Sequence, residues 1–138
     1  MINEIRSFSA EKNKIKLNIS LFIIGKDVLL ILSGGTHPHI GSLTFLTETE
    51  NIKNHNFPSH DGRRHKDGEL SDRIAQKIQN SLEGSCVITS GVHFDGISWE
   101  EIQTCFDLSD ALGDQINYFL KNYNYQTSDP KYQKLKRP

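Results

Sequence analysis

The chain is poor in cysteine, and the two it has, Cys86 and Cys105, lie far apart and outside any Cys-x-x-Cys motif. With no export signal in view both are expected to be reduced and to serve as core residues. An excess of one charge is missing too: 16 Lys and Arg face 17 Asp and Glu, a formal net charge of −1. That balance gives no broad positive field for a phosphate backbone, so no nucleic-acid partner is expected. Long hydrophobic runs are also absent. The longest lies near Val28–Leu32, far short of the roughly 20 residues of a membrane span. The opening MINEIRSFSAEKNK has no apolar segment of signal-peptide type. A cytoplasmic protein with no membrane association is the expectation. No internal repeat or low-complexity stretch divides the chain.

What is present reads first as strands. In IKLNISLFI the residues Ile15, Leu17, Ile19, Leu21 and Ile23 fall on one face and Lys16, Asn18 and Ser20 on the other, the period of a half-buried strand. Gly25 and Lys26 predict a tight turn. DVLLIL, from Asp27, predicts a central strand buried on both faces. Ser42 to Thr49 predicts another strand, and residues 2–9 a further one. Asn51 to Arg64 is polar and turn-rich and predicts a long loop. Leu70, Ile74, Ile78 and Leu82 form a helical stripe, with Gly84 as the expected stop. SCVITSGV predicts a buried strand. Ser98 and Glu101 then form a capping box, with Ile97 and Ile102 at the staple positions. This second helix either runs through Phe106 or breaks at DLSD and resumes at Ala111. The fold class is α+β: one domain over residues 1–125, an antiparallel or mixed β-sheet with helices packed on one face. A polar, basic tail occupies 126–138.

Three segments are chemically loaded: SGGTHPHIGS at 33–42, RRHKDGEL at 63–70 and SGVHFDGIS at 90–98. They hold four of the six histidines, His37, His39, His65 and His93. Gly34 and Gly35 would let backbone N–H groups form an anion nest, with hydroxyls from Ser33, Thr36 and Ser42. By spacing this is neither a Walker loop nor a Rossmann fingerprint. On this reading Gly35→Val is expected to weaken ligand binding more than folding. Arg63, Arg64 and Lys66 form a local basic cluster suited to a phosphate. Glu69 opens a helix. His37, His39, His93 and Asp95 also supply enough nitrogen and oxygen ligands for a metal, although no metal is the expectation. No activated nucleophile is apparent, so a binding pocket for a small anion is favoured over a hydrolase.

The segments SGGTHPHIGS, HKDGELS at 65–71 and GVHFDGISWEEI at 91–102 together resemble the prenylated flavin chaperone LpdD-like family. That family includes the small D subunit accompanying UbiD-type hydroxyaryl decarboxylases such as gallate decarboxylase. With the elements between them, the motifs cover most of residues 26–105. The resemblance implies an accessory protein, not itself an enzyme, that binds prenylated FMN (or FMN) and assists its delivery to, or activation in, a UbiD-type decarboxylase. A UbiX-type flavin prenyltransferase is the second partner it suggests. The candidate cofactor-binding residues are Ser33, Gly34, Gly35, His37, His39, Gly41, Ser42, Arg64, His65, Lys66, Glu69, His93 and Asp95. Two alternatives remain: a small metal-dependent hydrolase using His37, His39, His93 and Asp95, or a non-catalytic interaction module. A homodimer is expected, because a small open sheet leaves an edge to cover.

Overall fold

The computed structural model describes residues 2–59 and 67–136. The alternation in the first half of the chain does what its period requires. Strand β1 (Glu4–Lys12) turns at Asn13 and Lys14, both at positive φ, into β2 (Ile15–Ile24), and Gly25 turns β2 into β3 (Asp27–Gly35). Strands β4 (Ser42–Leu46) and β5 (Lys53–Asn56) follow, then helix α1 (Gly68–Ile78) with a 3₁₀ turn at Gln79–Ser81. Strand β6 (Cys86–His93) and helix α2 (Trp99–Asn122) complete the order. The sheet runs β1-β2-β3-β6-β4-β5. It is mixed: β3 and β6 are parallel, and every other neighbouring pair is antiparallel.

Both helices lie on one face. There Leu17, Ile19, Leu21, Leu30, Leu32 and Ile88 of the sheet meet Ile74 and Ile78 of α1 and Leu112 and Ile116 of α2, all fully buried. Each such side chain contributes about 1.5–3 kcal/mol by leaving water.

Several expectations are corrected. Strand β3 is not buried on both faces: Ile31 is exposed and Leu29 half-buried, because α1 and α2 both lie on the other side. It also continues through Ser33, Gly34 and Gly35, so the glycines belong to the sheet rather than to a loop. Strand β4 stops at Leu46 instead of Thr49. The predicted loop at 51–64 contains β5, a strand with no apolar alternation. Side-chain amides hold it: Thr44 Oγ1 donates to Asn54 Oδ1 (2.5 Å), and Asn54 Nδ2 donates to Asp72 Oδ1 of α1 (2.7 Å). Helix α1 ends at Ile78, short of Gly84. Helix α2 passes through DLSD without a break, since Leu108, Ser109 and Leu112 continue its buried stripe.

Gly35 and Gly91 are fixed by the sheet itself. Gly35 has φ +85°, and a Cβ there would overlap the backbone of β6 at the His93 carbonyl. A Cβ on Gly91 would overlap the His39 carbonyl oxygen. The expectation that Gly35→Val would spare the fold is therefore replaced. Gly35→Val and Gly91→Ala should each lower the urea midpoint strongly, and Gly35→Val should lose more stability than the roughly 1–3 kcal/mol of backbone strain alone. Gly96→Ala serves as the comparison. Its φ is +64° but open space surrounds the site, so it should lose only that strain.

Candidate functional site

Parallel pairing puts the carboxyl ends of β3 and β6 side by side, with Gly35 in register with His93. Crevices at such ends are where open sheets bind ligands. The chain leaving β3 is pinned back over this end. The Thr36 N–H donates to the His93 carbonyl (3.0 Å), the Gly41 N–H to the Ser90 carbonyl (2.8 Å), and the Phe57 N–H to the Gly41 carbonyl (2.8 Å). The first two of these bonds hold residues 36–41 across the carboxyl end of β6 and bring His37 and His39 to His93.

The side chains then form one cluster. Asp95 accepts from His93 Nε2 on Oδ1 (3.0 Å) and from His37 Nε2 on Oδ2 (3.3 Å). These hydrogen bonds, His93 first and His37 second, hold the Asp95 carboxyl below the usual carboxylate value. The His37 and His93 rings meet edge to face with centroids 5.1 Å apart, and His39 stands 6.5 Å from His93. The Nδ1–H of His39 donates to the His37 carbonyl (2.8 Å), and its Nε2 faces Asp67 Oδ2 at 3.4 Å. Asp67 is buried at the start of α1, and its Oδ1 accepts from the Val92 N–H (3.0 Å). One carboxylate thus ties α1, β6 and the histidine loop together.

Beside the cluster opens a cavity of about 550 Å³. His93, Asp67 and Glu69 stand at its polar side, and Leu70, Val92, Phe94, Ile97, Trp99, Ile102, Cys105 and Phe106 supply an apolar and aromatic wall. Its position is set by the capping box predicted from sequence: the Glu101 N–H donates to Ser98 Oγ (3.1 Å) and the Ser98 N–H to Glu101 Oε1 (3.0 Å). That box fixes where α2 begins, and so where Ile97, Trp99 and Ile102 point.

Of the sequence candidates, the structure brings together His37, His39, His93 and Asp95, with Glu69 on the cavity wall. Ser33 alternates onto the opposite face of the sheet from Leu32 and the helices. Gly34 and Gly35 are ladder residues, and the Thr36 N–H is already taken, so the expected anion nest is not formed there. Gly41 and Ser42 are buried. Arg63, Arg64, His65 and Lys66 lie outside the described residues. Asp67 and the wall formed by Ile97, Trp99, Ile102, Cys105 and Phe106 were not identified from sequence as site residues. Asp at the residue before α1 was the available signal for the first, and the apolar stripe opening α2 for the second.

Neither cysteine is a ready nucleophile. Burial pushes the Cys86 thiol up to about 12. Burial, aided by the negative charge of Glu101, also raises Cys105. His37, His93 and Asp95 are the set among the described residues that could hold a metal ion: one ligand atom from each lies within 4.8 Å of the others, and all three residues are exposed. Among the described residues no helix is long and apolar enough to cross a membrane.

Comparison with known proteins follows the same lines. A solved structure, of a novel chaperone complex for yeast 20S proteasome assembly, superposes with a TM-score of 0.55, covering 88% of this chain and 98% of that one. At 8% identity this likeness concerns the fold alone. Protein LpdD of Lactiplantibacillus plantarum is 40% identical over 126 residues, which span 91% of this chain and 93% of the relative. Residues 11–121 match the model of the prenylated flavin chaperone LpdD-like domain. The stretch includes every element that builds the cavity and the histidine cluster, and the chain belongs to the prenylated flavin chaperone LpdD-like family.

Proposed function

We propose that the protein binds prenylated FMN and, as a two-copy cytoplasmic accessory, delivers it to or activates it in a UbiD-type decarboxylase, with a UbiX-type prenyltransferase as the source of the cofactor. Family membership supports the coarser part, an accessory role of the chaperone class. One observation carries the finer part: an apolar, aromatic cavity opens directly beside a cluster of three histidines at the carboxyl ends of the parallel strands. About 550 Å³ is within the usual range of a small-molecule pocket, roughly 300–1,000 Å³. Phe94, Trp99 and Phe106 suit a planar ring carrying an added isoprenoid. Prenylated FMN, when bound, supplies that ring and a phosphate.

The phosphate sets a condition. Asp67, Glu69 and Asp95 stand beside the histidines, so among the described residues an anion is accepted only if positive charge is added. Protonated imidazoles are one source. Among the described residues, with Arg63, Arg64 and Lys66 lying outside them, a divalent cation held by His37, His93 and Asp95 is the other, and the closeness of their ligand atoms favours this second reading. It also keeps the metal-dependent hydrolase as the alternative activity. The two sources have opposite pH signs. Imidazolium attracts phosphate, so affinity should rise as pH falls. A cation needs neutral imidazoles and an ionised Asp95, so affinity should fall in the same direction.

Trp99 is the sole tryptophan and lines the cavity, so its emission reports occupancy. Anaerobic titration with prenylated FMN should quench it saturably, and plain FMN should bind more weakly. No saturable quenching or flavin spectral change with either would overturn the proposal. His39→Asn should cost about tenfold in affinity, ~1–2 kcal/mol for a lost hydrogen bond, with circular dichroism unchanged; His93→Asn should cost as much if an imidazolium supplies the charge and abolish binding if His93 holds a cation.

Repeating the titration across pH, with and without chelator and with Asp95→Asn, separates the two sources of charge. Affinity that falls with pH and is abolished by chelator and by Asp95→Asn identifies the cation. Affinity that rises as pH falls and ignores chelator identifies the imidazolium. Turnover of a phosphoester by the metal-loaded chain, without flavin binding, would select the hydrolase.

A further inference from the structure

The sheet has a second face that the helices leave bare. The alternation that buries Leu21, Leu30 and Ile88 sends Phe22, Leu29, Ile31, Leu43, Phe45 and Val87 outward. Register makes these six contiguous over four strands. Phe22 pairs with Leu29, Leu29 with Val87, and Val87 with Phe45. Two residues further along, Ile31 pairs with Thr89 and Thr89 with Leu43. Ile31 and Phe45 each remain 39% exposed. The large apolar side chains of the described C-terminal tail do not cover the patch: Tyr132 and Leu135 are 92% and 84% exposed.

The sheet edges, by contrast, are guarded. β1 carries Glu4, Arg6, Glu11 and Lys12 and is irregular between Glu4 and Arg6. β5 is only four residues long and begins with Lys53. Short, charged or bulged edges resist strand addition, so the edge route to a dimer expected from sequence is disfavoured.

We propose that the bare face packs against the same face of a second copy of this chain, sheet on sheet, about a two-fold axis. This rests on the two-copy reading above and is independent of the flavin. Charge is one argument for a second copy as the occupant. Two-fold packing sets a patch against itself, so a charge at its centre would meet its own image or be buried unpaired. Here the six apolar residues and the Thr89 between them include no Asp, Glu, Lys or Arg; the rim holds the polar Ser7, Ser9, Asn18, Ser20 and His55, and the charged Glu11, Lys16 and Lys53 of this face stand on or beside the edge strands. Size is the other. Six strands about 4.8 Å apart, the longer ones about 26–33 Å long, give a face of roughly 700 Å². Two such faces bury on the order of 1,400 Å², within the roughly 1,200–2,000 Å² of stable specific interfaces. Such a sandwich keeps α1, α2 and both cavities on its outside.

Sedimentation of the full chain at micromolar concentration tests this. The parent is expected at twice the 15.7 kDa of one chain. Ile31→Glu and Phe45→Glu should halve that mass, with circular dichroism retained and Trp99 still responsive to prenylated FMN. Should either fail to fold, Ile31→Ser and Phe45→Ser should raise the dimer dissociation constant at least tenfold. A parent of single-chain mass would overturn the two-copy reading and this interface with it, and would leave the face to a different partner. A parent dimer that survives all the folded variants would overturn the interface alone. Loss of flavin binding in the parent would leave it standing.

Discussion

The parallel pairing of β3 with β6 is the constraint on which the rest depends. Every other neighbouring pair in the sheet is antiparallel and brings a strand end beside a strand start. Only this pair brings two carboxyl ends together, at Gly35 and His93. The segments leaving those ends hold three histidines and Asp95, and the start of α1 adds Asp67. Gly35 and Gly91 permit the approach, since a side chain at either would collide with the neighbouring backbone. The glycines act on the ligand site indirectly, by letting the chain that carries His37 and His39 lie flat against β6.

The electrostatics of the site are balanced. Each of the three clustered histidines faces a carboxylate: His37 and His93 face Asp95, and His39 faces Asp67. This arrangement orders the imidazoles, which lowers the reorganisation needed to bind a ligand. Among the described residues it also makes an anion welcome only in company with a proton or a cation. The apolar wall beside it has no such condition. A ligand with a charged end and a large flat end therefore meets two different requirements within one site.

Much of this was legible in the sequence, for identifiable reasons. Strict alternation from Ile15 gave β2, the stripe at Leu70, Ile74 and Ile78 gave α1, and Ser98 with Glu101 gave the start of α2 to the residue. Three histidines of the cluster stood in glycine-flanked segments, a local signal. Strand β5 was not legible, because its stability lies in amide contacts between Asn54, Thr44 and Asp72 that leave no hydrophobic period. The burial of β3 was overestimated, since a run such as VLLIL looks the same whether its second face meets a helix or none. Asp67 was passed over because its role depends on β6 and His39, both remote in sequence.

The distance along the chain between the two halves of the site bears on how it comes into being. β1, β2 and β3 are joined by tight turns, so their pairing closes only short loops. His37 and Asp95, like Asp27 and Ser85 at the far end of the same strand pair, are 58 residues apart. Closing that loop carries the larger entropy cost and gains nothing until β6 docks. A chain with only its meander formed would have neither cavity nor cluster. The capacity to hold a ligand is thus tied to completion of the most non-local step in folding, and a bound ligand would stabilise the finished fold over every partly assembled one.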